Sequence, residues 1–456
     1  MNTSLQLYTP EMYVAEKELA FFLARLHRSK VKEIPSLTAT LLHKQPEAVV
    51  NACTRALSII TGPPGTGKTT TLKMVVESFI QAGLRVLIVS PTGKAAKRAN
   101  EVVNAGKSFV ERVECATVHT GLRYDGGTGG FSYNRFCFLP YDVVVMDEFS
   151  MADCELMRDF IEAIQPGRTR VILCGDQYQL PSVGPGNIAR DLMEVDAIPK
   201  VELDVVLRTG VNSGITYNAN LILRGQQISK QDSIGNIFED FFFVQKDSQE
   251  ATVKALVKWI TEDLPTKRKV HPIHDIQVMT PGKEGVVGRK NLNKVLRDAL
   301  NPAQKNASGP YRVGDKLINL KNDKKLYLVN GDTGFVKEIV HGNNGWHVTV
   351  DFGPNTGPNL DGIVQFKGEM LQRLQMAFAQ TVHKSQGSEF PIALFPVHRC
   401  HTRLLTRNLL YTGLTRGKSL AVLVGEYETV QSAIKNTISN RRRTSLSDEL
   451  RRLLAA

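Results

Sequence analysis

The chain has 456 residues, 42% of them hydrophobic, and a formal net charge of +12 with a pI near 9.3. This length exceeds one ordinary domain, and the apolar share excludes a chain that is disordered throughout. The basic charge favours a polyanionic partner, with nucleic acid first, although a generally soluble basic protein would have the same charge.

The six cysteines are scattered, with no Cys-x-x-Cys pair and no histidine pair at zinc spacing. We therefore expect neither a structural zinc nor a disulfide framework, and we expect a reducing, cytoplasmic location. The N-terminus lacks the basic start and apolar run of a secretory signal. The sequence contains no stretch of about eighteen apolar residues, so we expect no membrane-spanning helix.

The predicted elements begin with an amphipathic helix over residues 10–30, within an N-terminal helical segment 1–44. Apolar strands then alternate with helices over residues 45–200, which predicts a parallel sheet covered on both faces. The predicted strands are 57–60, 85–90, 142–146 and 169–174, and the predicted helices are 93–103 and 153–164.

A glycine-rich stretch, 121–140, interrupts this alternation and predicts a small β-hairpin insertion. A second region of strands and helices, 201–425, is predicted to start near Val201 and to include a strand at 276–280 and a helix at 290–300. Short strands and Gly/Asn turns within 311–371 predict a small antiparallel barrel inserted there. The basic tail, 426–456, is expected to be helical or frayed, with its charges in solvent.

The stretch LSIITGPPGTGKTTT places a glycine loop between a buried strand and a helix, which is the context of a phosphate-binding loop. Lys68 is predicted to reach the β- and γ-phosphates, and the Thr69 hydroxyl to bind Mg²⁺. A Gly/Pro turn that happens to carry a lysine is the structural alternative. The predicted ATP-binding residues of the loop are Gly62, Pro63, Pro64, Gly65, Thr66, Gly67, Lys68, Thr69 and Thr70.

Two further motifs follow buried strands. Asp147 is predicted to hold Mg²⁺, and Glu148 to orient and deprotonate the attacking water. Gln179, in GDQYQLP, is predicted to lie at the same sheet edge as Lys68 and Glu148, because the carboxyl ends of parallel strands line the ligand crevice. A surface Asp-Glu pair is the alternative reading of the first motif.

Taken in order, these stretches resemble the superfamily 1 helicases, specifically the RecD-like branch, from about Gln45 to Gly425. The motifs that carry the resemblance are GPPGTGKTT, SPTGKAA, TVHTGL, VVMDEFSM, GDQYQLPSVGPG, NGDTGFV, TVHKSQGSEF and LLYTGLTRGKS. The resemblance implies an α/β fold of two RecA-like P-loop NTPase lobes with an SH3-like β-barrel in the second. It also implies ATP and Mg²⁺ as cofactors.

The resemblance implies roles for residues outside the phosphate loop. Gln45 resembles the glutamine that recognises adenine, with an exposed polar residue before a helix as the alternative. Arg416 resembles the arginine finger of the second lobe, and Gly387 lies in a nucleotide-binding motif of that lobe. Arg208 resembles a second arginine of the nucleotide cleft, and a surface ion pair is its alternative.

The predicted DNA-binding residues match motifs that contact the strand, and their hydroxyl, amine and imidazole groups suit phosphate and sugar contacts. They are Thr92, Lys94, Thr117, His119, Thr381 and His383. The two histidines have core packing as their alternative. The aromatic residues in or beside the hairpin insertion either help to split the duplex or simply pack the hairpin; they are Phe131, Tyr133, Phe136 and Phe138.

Three positions depart from the family pattern. Phe149 replaces a small residue, Ser182 replaces a second proline, and Thr209 replaces a common glutamine. None removes a charge that the chemistry needs, so we expect activity to be intact. The first 44 residues resemble only the last part of the longer N-terminal region of the stand-alone RecD-like proteins, so we expect no accessory DNA-binding role from a helix-hairpin-helix array.

The sequence therefore predicts an ATP-dependent DNA helicase that translocates on single-stranded DNA, and the resemblance implies 5′ to 3′ movement. Expected partners are single-stranded DNA and duplex junctions, with other recombination or replication proteins open, and the chain is expected to be a monomer. An RNA helicase of the viral superfamily 1 type and an ATPase subunit of a larger complex remain alternatives. A phosphate-loop kinase or transporter ATPase is disfavoured by the second-lobe motifs.

Overall fold

The computed structural model describes residues 8–108, 111–206, 213–230, 238–303, 309–343, 345–438 and 442–455. The chain divides into two compact units. The first contains Met1–Gly210 and Ile438–Ala456, and the second contains Val211–Thr437. Within the described ranges, no helix combines the length and apolar character needed to cross a membrane.

The first unit is built on a six-stranded parallel sheet in the order β3-β2-β6-β7-β1-β8. Its strands are β1 (Leu57–Thr61), β2 (Val86–Ser90), β3 (Glu114–Thr117), β6 (Val143–Asp147), β7 (Arg170–Gly175) and β8 (Lys200–Glu202). Its helices are α1 (Pro10–Arg28), α2 (Gln45–Thr54), α3 (Lys68–Gln81), α4 (Gly93–Val103), α5 (Val118–Gly121), α6 (Cys154–Glu162), α7 (Ile188–Met193) and α14 (Leu446–Ala455).

Both faces of this sheet are buried. Leu57 and Ile59 pack into one apolar cluster, whereas Ile60 packs into a second cluster on the opposite face. Successive side chains of a strand point to opposite faces, so strands buried on both sides need continuous apolar runs. This is why the short apolar runs of the sequence predicted the central strands to within a residue or two at each end.

The second unit contains a five-stranded parallel sheet in the order β16-β10-β17-β18-β9. Its strands are β9 (Phe241–Gln245), β10 (Ile276–Thr280), β16 (Ala379–Thr381), β17 (Phe390–Val397) and β18 (Gly417–Gly425). Its helices are α8 (Gly214–Leu223), α9 (Gln249–Lys258), α10 (Leu264–Arg268), α11 (Arg289–Leu300), α12 (Arg407–Leu414) and α13 (Tyr427–Lys435). The prediction of two parallel α/β units is confirmed.

An antiparallel sheet interrupts the second unit and surrounds a small apolar core of its own. Its strands, in the order β14-β13-β12-β11-β15, are β11 (Lys316–Asn319), β12 (Thr333–Gly342), β13 (Gly345–Asp351), β14 (Ile363–Lys367) and β15 (Leu374–Met376). The hairpin insertion of the first unit is much smaller. It pairs β4 (Tyr124–Asp125) with β5 (Gly130–Phe131), and an isolated antiparallel bridge joins Asn134 to Cys137.

Two predictions were wrong. The region near Val201 does not begin the second unit, because Lys200–Glu202 pairs with β1 as the edge strand of the first sheet. The basic tail is helical, as predicted, but not all of its charges face solvent. Arg442 donates four hydrogen bonds to the protein.

Candidate nucleotide and nucleic-acid site

Three neighbouring strands of the first sheet carry the predicted nucleotide motifs at their carboxyl ends. Strand β7 lies between β6 and β1, and all three run parallel. Thr61 pairs with Gly175, and Asp147 pairs with Cys174, so the three loops leave the sheet at nearly the same level. The phosphate loop, the Asp147-Glu148 pair and the Gln179 loop therefore share one edge, where α/β sheets bind ligands.

The phosphate loop has the backbone shape that an anion cradle needs. Gly65 and Gly67 have φ of 84° and 82°, in the left-handed region that favours glycine. A Cβ at Gly62 would lie 2.4 Å from the Leu203 carbonyl oxygen, so no larger residue fits there. Lys68 Nζ donates to the carbonyl oxygens of Gly62 at 2.6 Å and Pro63 at 2.8 Å, which keeps the ammonium over the loop.

The remaining loop residues begin the next helix or support the turn. Thr66 is buried, and its hydroxyl donates to the Pro63 carbonyl oxygen at 2.8 Å. Thr69 and Thr70 are exposed in the first turn of α3. A helix N-terminus that meets a glycine loop favours anions, because free N–H groups and the helix dipole point at the same place.

Gln45 lies against the back of the phosphate loop. The residue is 4% exposed, so its reading as an exposed polar residue is wrong. Its Nε2 lies 3.4 Å from the carbonyl oxygens of Thr66 and Gly67, and its Oε1 accepts from the Leu42 N–H at 3.1 Å. Gln45 therefore connects the start of α2 to the loop, and its role in adenine recognition stays a prediction.

The backbone at Glu148 is unusual. This residue has φ 57° and ψ 38°, the left-handed conformation, at the start of a 3₁₀ turn over Phe149–Met151. A non-glycine residue in that region costs about 1–2 kcal/mol, and such strain concentrates at functional positions. The apolar strand that precedes Glu148 gave no sign of this conformation.

The environment of the Asp147 carboxylate, next to Glu148, disfavours its charged form. Burial and the neighbouring Glu148 charge raise the pKa of Asp147 to about 7, and the Lys68 ammonium opposes that rise. A divalent cation would reverse the effect, because it stabilises the charged carboxylate. Mg²⁺ commonly uses one or two protein ligands together with substrate phosphates. Asp147 and Thr69 therefore fit a nucleotide-bound Mg²⁺, which would neutralise phosphate charge.

The Gln179 loop is organised by the buried carboxylate of Asp176, a residue to which the sequence motifs assigned no role. Asp176 is fully buried. Its Oδ2 accepts from Gln179 Nε2 at 3.1 Å, and its Oδ1 accepts from the Tyr178 N–H at 2.9 Å. Asp176 therefore fixes the orientation of the Gln179 amide. Its position directly after a buried strand was the signal that could have identified it.

Phe149, one of the departures from the family pattern, fills the space above Gly175. Its ring is fully buried in the first-unit core. A Cβ built on Gly175 would lie 2.9 Å from Phe149 Cδ1 and 3.3 Å from its backbone nitrogen. The large residue after the Asp-Glu pair is therefore accommodated by the glycine that ends the neighbouring strand.

Replacing Gly175 by alanine is expected to lower the free energy of unfolding by about 1–3 kcal/mol, because the added methyl group overpacks a closed core. Urea denaturation measures this change. Gly126→Ala is the matched control, since a Cβ there meets nothing within 4 Å. Adding Phe149→Leu to Gly175→Ala should recover part of the loss, and an unchanged urea midpoint for Gly175→Ala would contradict this packing.

In the second unit, Arg416 is only 3% exposed and lies beside a predicted nucleotide motif. Its Nη1 donates to the Ser388 carbonyl oxygen at 3.0 Å, and its Nε donates to that of Thr412 at 3.2 Å. Gly387, the residue before Ser388, has φ 71°. The structure thus brings Arg416 and Gly387 together, whereas Arg208 and Thr209 lie outside the described residues.

The predicted DNA-binding residues of the first unit share one part of the sheet edge. Thr92 follows β2 and caps α4, with its hydroxyl accepting from the Ala95 N–H at 3.3 Å. Lys94 lies in the first turn of α4. Thr117 ends β3 and caps α5, accepting from the Thr120 N–H at 3.1 Å. Because β2 and β3 are neighbours, these groups form one polar border.

His119 is exposed at this border, so its core-packing alternative is wrong. Its ring lies 5.7 Å from the rings of both Tyr124 and Phe131, which are 5.4 Å apart. Phe131 and Tyr133 also pack against the first-unit core, whereas Phe136 is 91% exposed. The hairpin aromatics therefore divide into packing residues and one free ring. Phe138 is half-buried.

The remaining two predicted DNA contacts belong to the second unit. Thr381 is buried at the end of β16, and His383 is exposed in the short 3₁₀ helix that follows. The exposure of His383 makes its core alternative wrong as well. These two residues therefore also lie at the carboxyl end of a parallel strand.

Three family models match the chain. An AAA domain matches residues 40–236, an ATP-dependent RecD-like DNA helicase SH3 domain matches residues 292–352, and a UvrD-like helicase C-terminal domain matches residues 376–424. The middle match covers β11–β13 of the antiparallel sheet, which supports the predicted SH3-like insertion.

Curated relatives match nearly the whole chain. The ATP-dependent RecD2 DNA helicase of Deinococcus radiodurans is 32% identical over 98% of this chain, which spans 59% of that protein. The RecBCD enzyme subunit RecD of Haemophilus influenzae is 27% identical over 92% of this chain and 74% of its own length.

A solved structure supports the fold. The crystal structure of Pif1 helicase from Candida albicans superposes with a TM-score of 0.51 at 16% identity, covering 86% of this chain and 96% of that one. The ordered motifs, the RecD-like SH3 match and the RecD relatives agree with this fold, and together they support a chain similar to the RecD-like branch of the superfamily 1 helicases.

Proposed function

We propose that this protein is an ATP-dependent DNA helicase that translocates 5′ to 3′ on single-stranded DNA. One observation carries the proposal. The phosphate loop, Glu148 and Gln179 follow the carboxyl ends of three adjacent parallel strands, and Thr92, Lys94 and Thr117 lie at the carboxyl ends of the next two strands of the same sheet. If these residues bind the nucleotide and the DNA as proposed, their common sheet edge would allow the two ligands to be coupled.

In this proposal each residue has a defined task. Lys68 and the loop N–H groups hold the β- and γ-phosphates of ATP, and Thr69 and Asp147 hold Mg²⁺. Glu148 takes the proton of the attacking water, while Gln179 orients that water or the γ-phosphate. Arg416 and Arg208 stabilise the charge that develops on the transferred phosphoryl group. Gln45 recognises adenine, and Gly387 belongs to the nucleotide site.

The proposed nucleic-acid contacts are backbone contacts, so they position the strand without reading its sequence. Thr92, Lys94, Thr117 and His119 act from the first unit, and Thr381 and His383 act from the second. The relative from Deinococcus radiodurans is named a DNA helicase, which supports DNA over RNA. We further propose that the protein acts in the cytoplasm as a monomer.

Unwinding of tailed duplexes tests this function. Duplexes with a 5′ or a 3′ single-stranded tail, in DNA and in RNA versions, are incubated with and without ATP. ATP-dependent unwinding of only the 5′-tailed DNA duplex is expected. Unwinding from the 3′ tail would overturn the proposed polarity, and preferential RNA unwinding would overturn the proposed substrate.

A subunit role is the second candidate, because several similar proteins are named as RecD subunits of the RecBCD enzyme. In that case the isolated chain would bind single-stranded DNA and hydrolyse ATP without separating strands. Sedimentation combined with the tailed-duplex assay distinguishes the two candidates. A monomer that unwinds DNA alone excludes the obligatory subunit role.

A further inference from the structure

The C-terminal segment, Arg442–Ala455, is an integral part of the first unit. Leu446 and Leu450 are buried in the same apolar cluster as α1 and the central strands. Ser445 donates from both its N–H and its hydroxyl to Glu16 Oε2 at 2.7 Å, and Lys17 pairs with Glu449 at 2.8 Å. This segment is therefore held on α1 at several points along its length.

Arg442, at the start of this segment, binds the loop 182–186 with a single guanidinium group. Its Nη1 donates to the Gly184 carbonyl oxygen at 2.7 Å, to that of Gly186 at 2.8 Å and to Ser182 Oγ at 3.3 Å. Its Nη2 donates to the Ser182 carbonyl oxygen at 2.8 Å. A planar guanidinium presents several donors in fixed directions, so four acceptors on one loop define the loop's conformation closely.

Loop 182–186, which Arg442 holds, connects two segments of the proposed nucleotide site. It follows Gln179 after only Leu180 and Pro181. At its other end the Pro185 carbonyl oxygen accepts from the Cys154 N–H at 3.0 Å, and a Cβ on Gly184 would lie 2.2 Å from Asp153 Oδ2. Asp153 caps α6, the helix that follows Glu148 and its 3₁₀ turn. A shift of loop 182–186 would therefore move the Gln179 and Glu148 segments relative to each other.

Ser182, a departure from the family pattern, belongs to this arrangement. Its hydroxyl donates to the Gly184 carbonyl oxygen at 3.0 Å and accepts from Arg442. Proline at this position would have no hydroxyl to contribute.

A second set of hydrogen bonds fixes the position of the C-terminal segment next to Arg442. Arg190 Nη2 donates to the Arg442 carbonyl oxygen at 3.0 Å and to Thr444 Oγ1 at 2.9 Å, and the Thr444 hydroxyl donates to Asp191 at 2.8 Å.

We infer that Arg442 is a positioning residue for ATP hydrolysis: it fixes loop 182–186 and thereby holds Gln179 in place relative to Glu148. This inference rests on the proposed roles of those two residues. It adds a contribution from a segment more than 250 positions further along the chain, since 256 positions separate Arg442 from Gly186. Misplacing a group that touches the reacting phosphate by about 1 Å costs on the order of a hundredfold in rate.

The test compares Arg442→Ala with Arg443→Ala, because Arg443 is its exposed neighbour. ADP and ATPγS affinities are measured by titration, and kcat and KM for ATP are measured with saturating single-stranded DNA. Arg442→Ala is expected to lower kcat about tenfold to a hundredfold and to reduce the preference for ATPγS over ADP, with ADP affinity nearly unchanged. Arg443→Ala should match the unmodified protein. Arg442→Lys keeps the charge with fewer fixed donors, so its kcat and its preference for ATPγS over ADP should lie between those of Arg442→Ala and the unmodified protein.

A stability control separates positioning from a loss of folded protein. Leu450→Ala removes a buried side chain of the same segment without touching loop 182–186, so it should lower the unfolding midpoint and leave the ATPγS-to-ADP ratio unchanged. If Arg442→Ala does not fold, Arg442→Lys carries the test. An unchanged ratio and kcat in the folded Arg442 variant, or the same changes in Leu450→Ala, would overturn the inference.

Gln179→Ala distinguishes failure of this inference from failure of the proposed function. If Gln179→Ala changes the ATPγS-to-ADP ratio and the Arg442 variants do not, only the positioning role is wrong. If Gln179→Ala itself leaves hydrolysis and the ratio unchanged, the proposed role of Gln179 is wrong and the positioning role falls with it.

Discussion

Replacing Lys68 by alanine is expected to abolish ATP hydrolysis while single-stranded DNA binding remains measurable. The Lys68 ammonium lies over the phosphate loop, held by the Gly62 and Pro63 carbonyl oxygens, and its charge acts on the neighbouring Asp147 carboxylate. Removing such a positive charge from a phosphoryl-transfer site costs about 3–4 kcal/mol of transition-state stabilisation, a loss of a hundredfold or more in kcat/KM.

The measurement is steady-state phosphate release in the presence and absence of single-stranded DNA, together with DNA binding by fluorescence anisotropy. Lys73→Ala is the matched control, because Lys73 lies on the same helix, α3, outside the loop. Near-normal ATP turnover in Lys68→Ala would show that the loop does not bind the triphosphate. Loss of DNA binding together with turnover would instead indicate a folding defect.

Replacing Arg416 by alanine is expected to preserve ATP affinity within a few fold and to lower kcat about a thousandfold. An arginine that stabilises charge only in the phosphoryl-transfer transition state contributes to turnover and little to ground-state binding. Arg416 is itself buried, and its guanidinium donates to the carbonyl oxygen of the buried Ser388, next to the left-handed Gly387. It is therefore not a surface arginine that contacts only solvent.

Because Arg416 also donates to the carbonyl oxygens of Ser388 and Thr412, its removal has a structural cost that must be separated from chemistry. Arg407 is the matched control. It makes a similar set of side-chain bonds, to the carbonyl oxygens of Ile434 and Leu223, at the start of α12, the helix that ends two residues before Arg416. Arg407→Ala should lower the unfolding midpoint while keeping kcat. Equal losses of ATP binding and turnover in Arg416→Ala would mean that Arg416 is structural.

The parallel sheets were predictable because their strands are short apolar runs, and such runs are required wherever a strand is covered on both faces. The phosphate loop, Asp147-Glu148 and Gln179 each come at or after the end of a predicted parallel strand, and this was enough to place all three at one sheet edge. The same reasoning failed at Val201, where a short polar-flanked strand joins the edge of the first sheet. Edge strands are half-exposed, so their composition does not distinguish them from the start of a new domain.

The supporting contacts of the site were only partly predictable. Asp176 could have been identified from its position after a buried strand, but the apolar strand before Glu148 gave no sign of that residue's left-handed backbone. The Gly175–Phe149 contact depends on tertiary packing between segments that are not neighbours in sequence. The tail was misread for a related reason. Arginine is usually exposed, and only the carbonyl oxygens of loop 182–186 make a partly buried position favourable for Arg442.

The return of the C-terminal segment to the first unit has a consequence for synthesis on the ribosome. Glu16 and Ser445, which are hydrogen-bonded, are separated by 429 positions, and residues Val211–Thr437 of the second unit are made between them. At about 5–20 residues per second, that stretch takes roughly 10–50 s to translate. During that interval the apolar surface that later receives Leu446 and Leu450 is uncovered. The apolar core of the first unit can therefore be completed only after the second unit has been made and translation has passed Leu450.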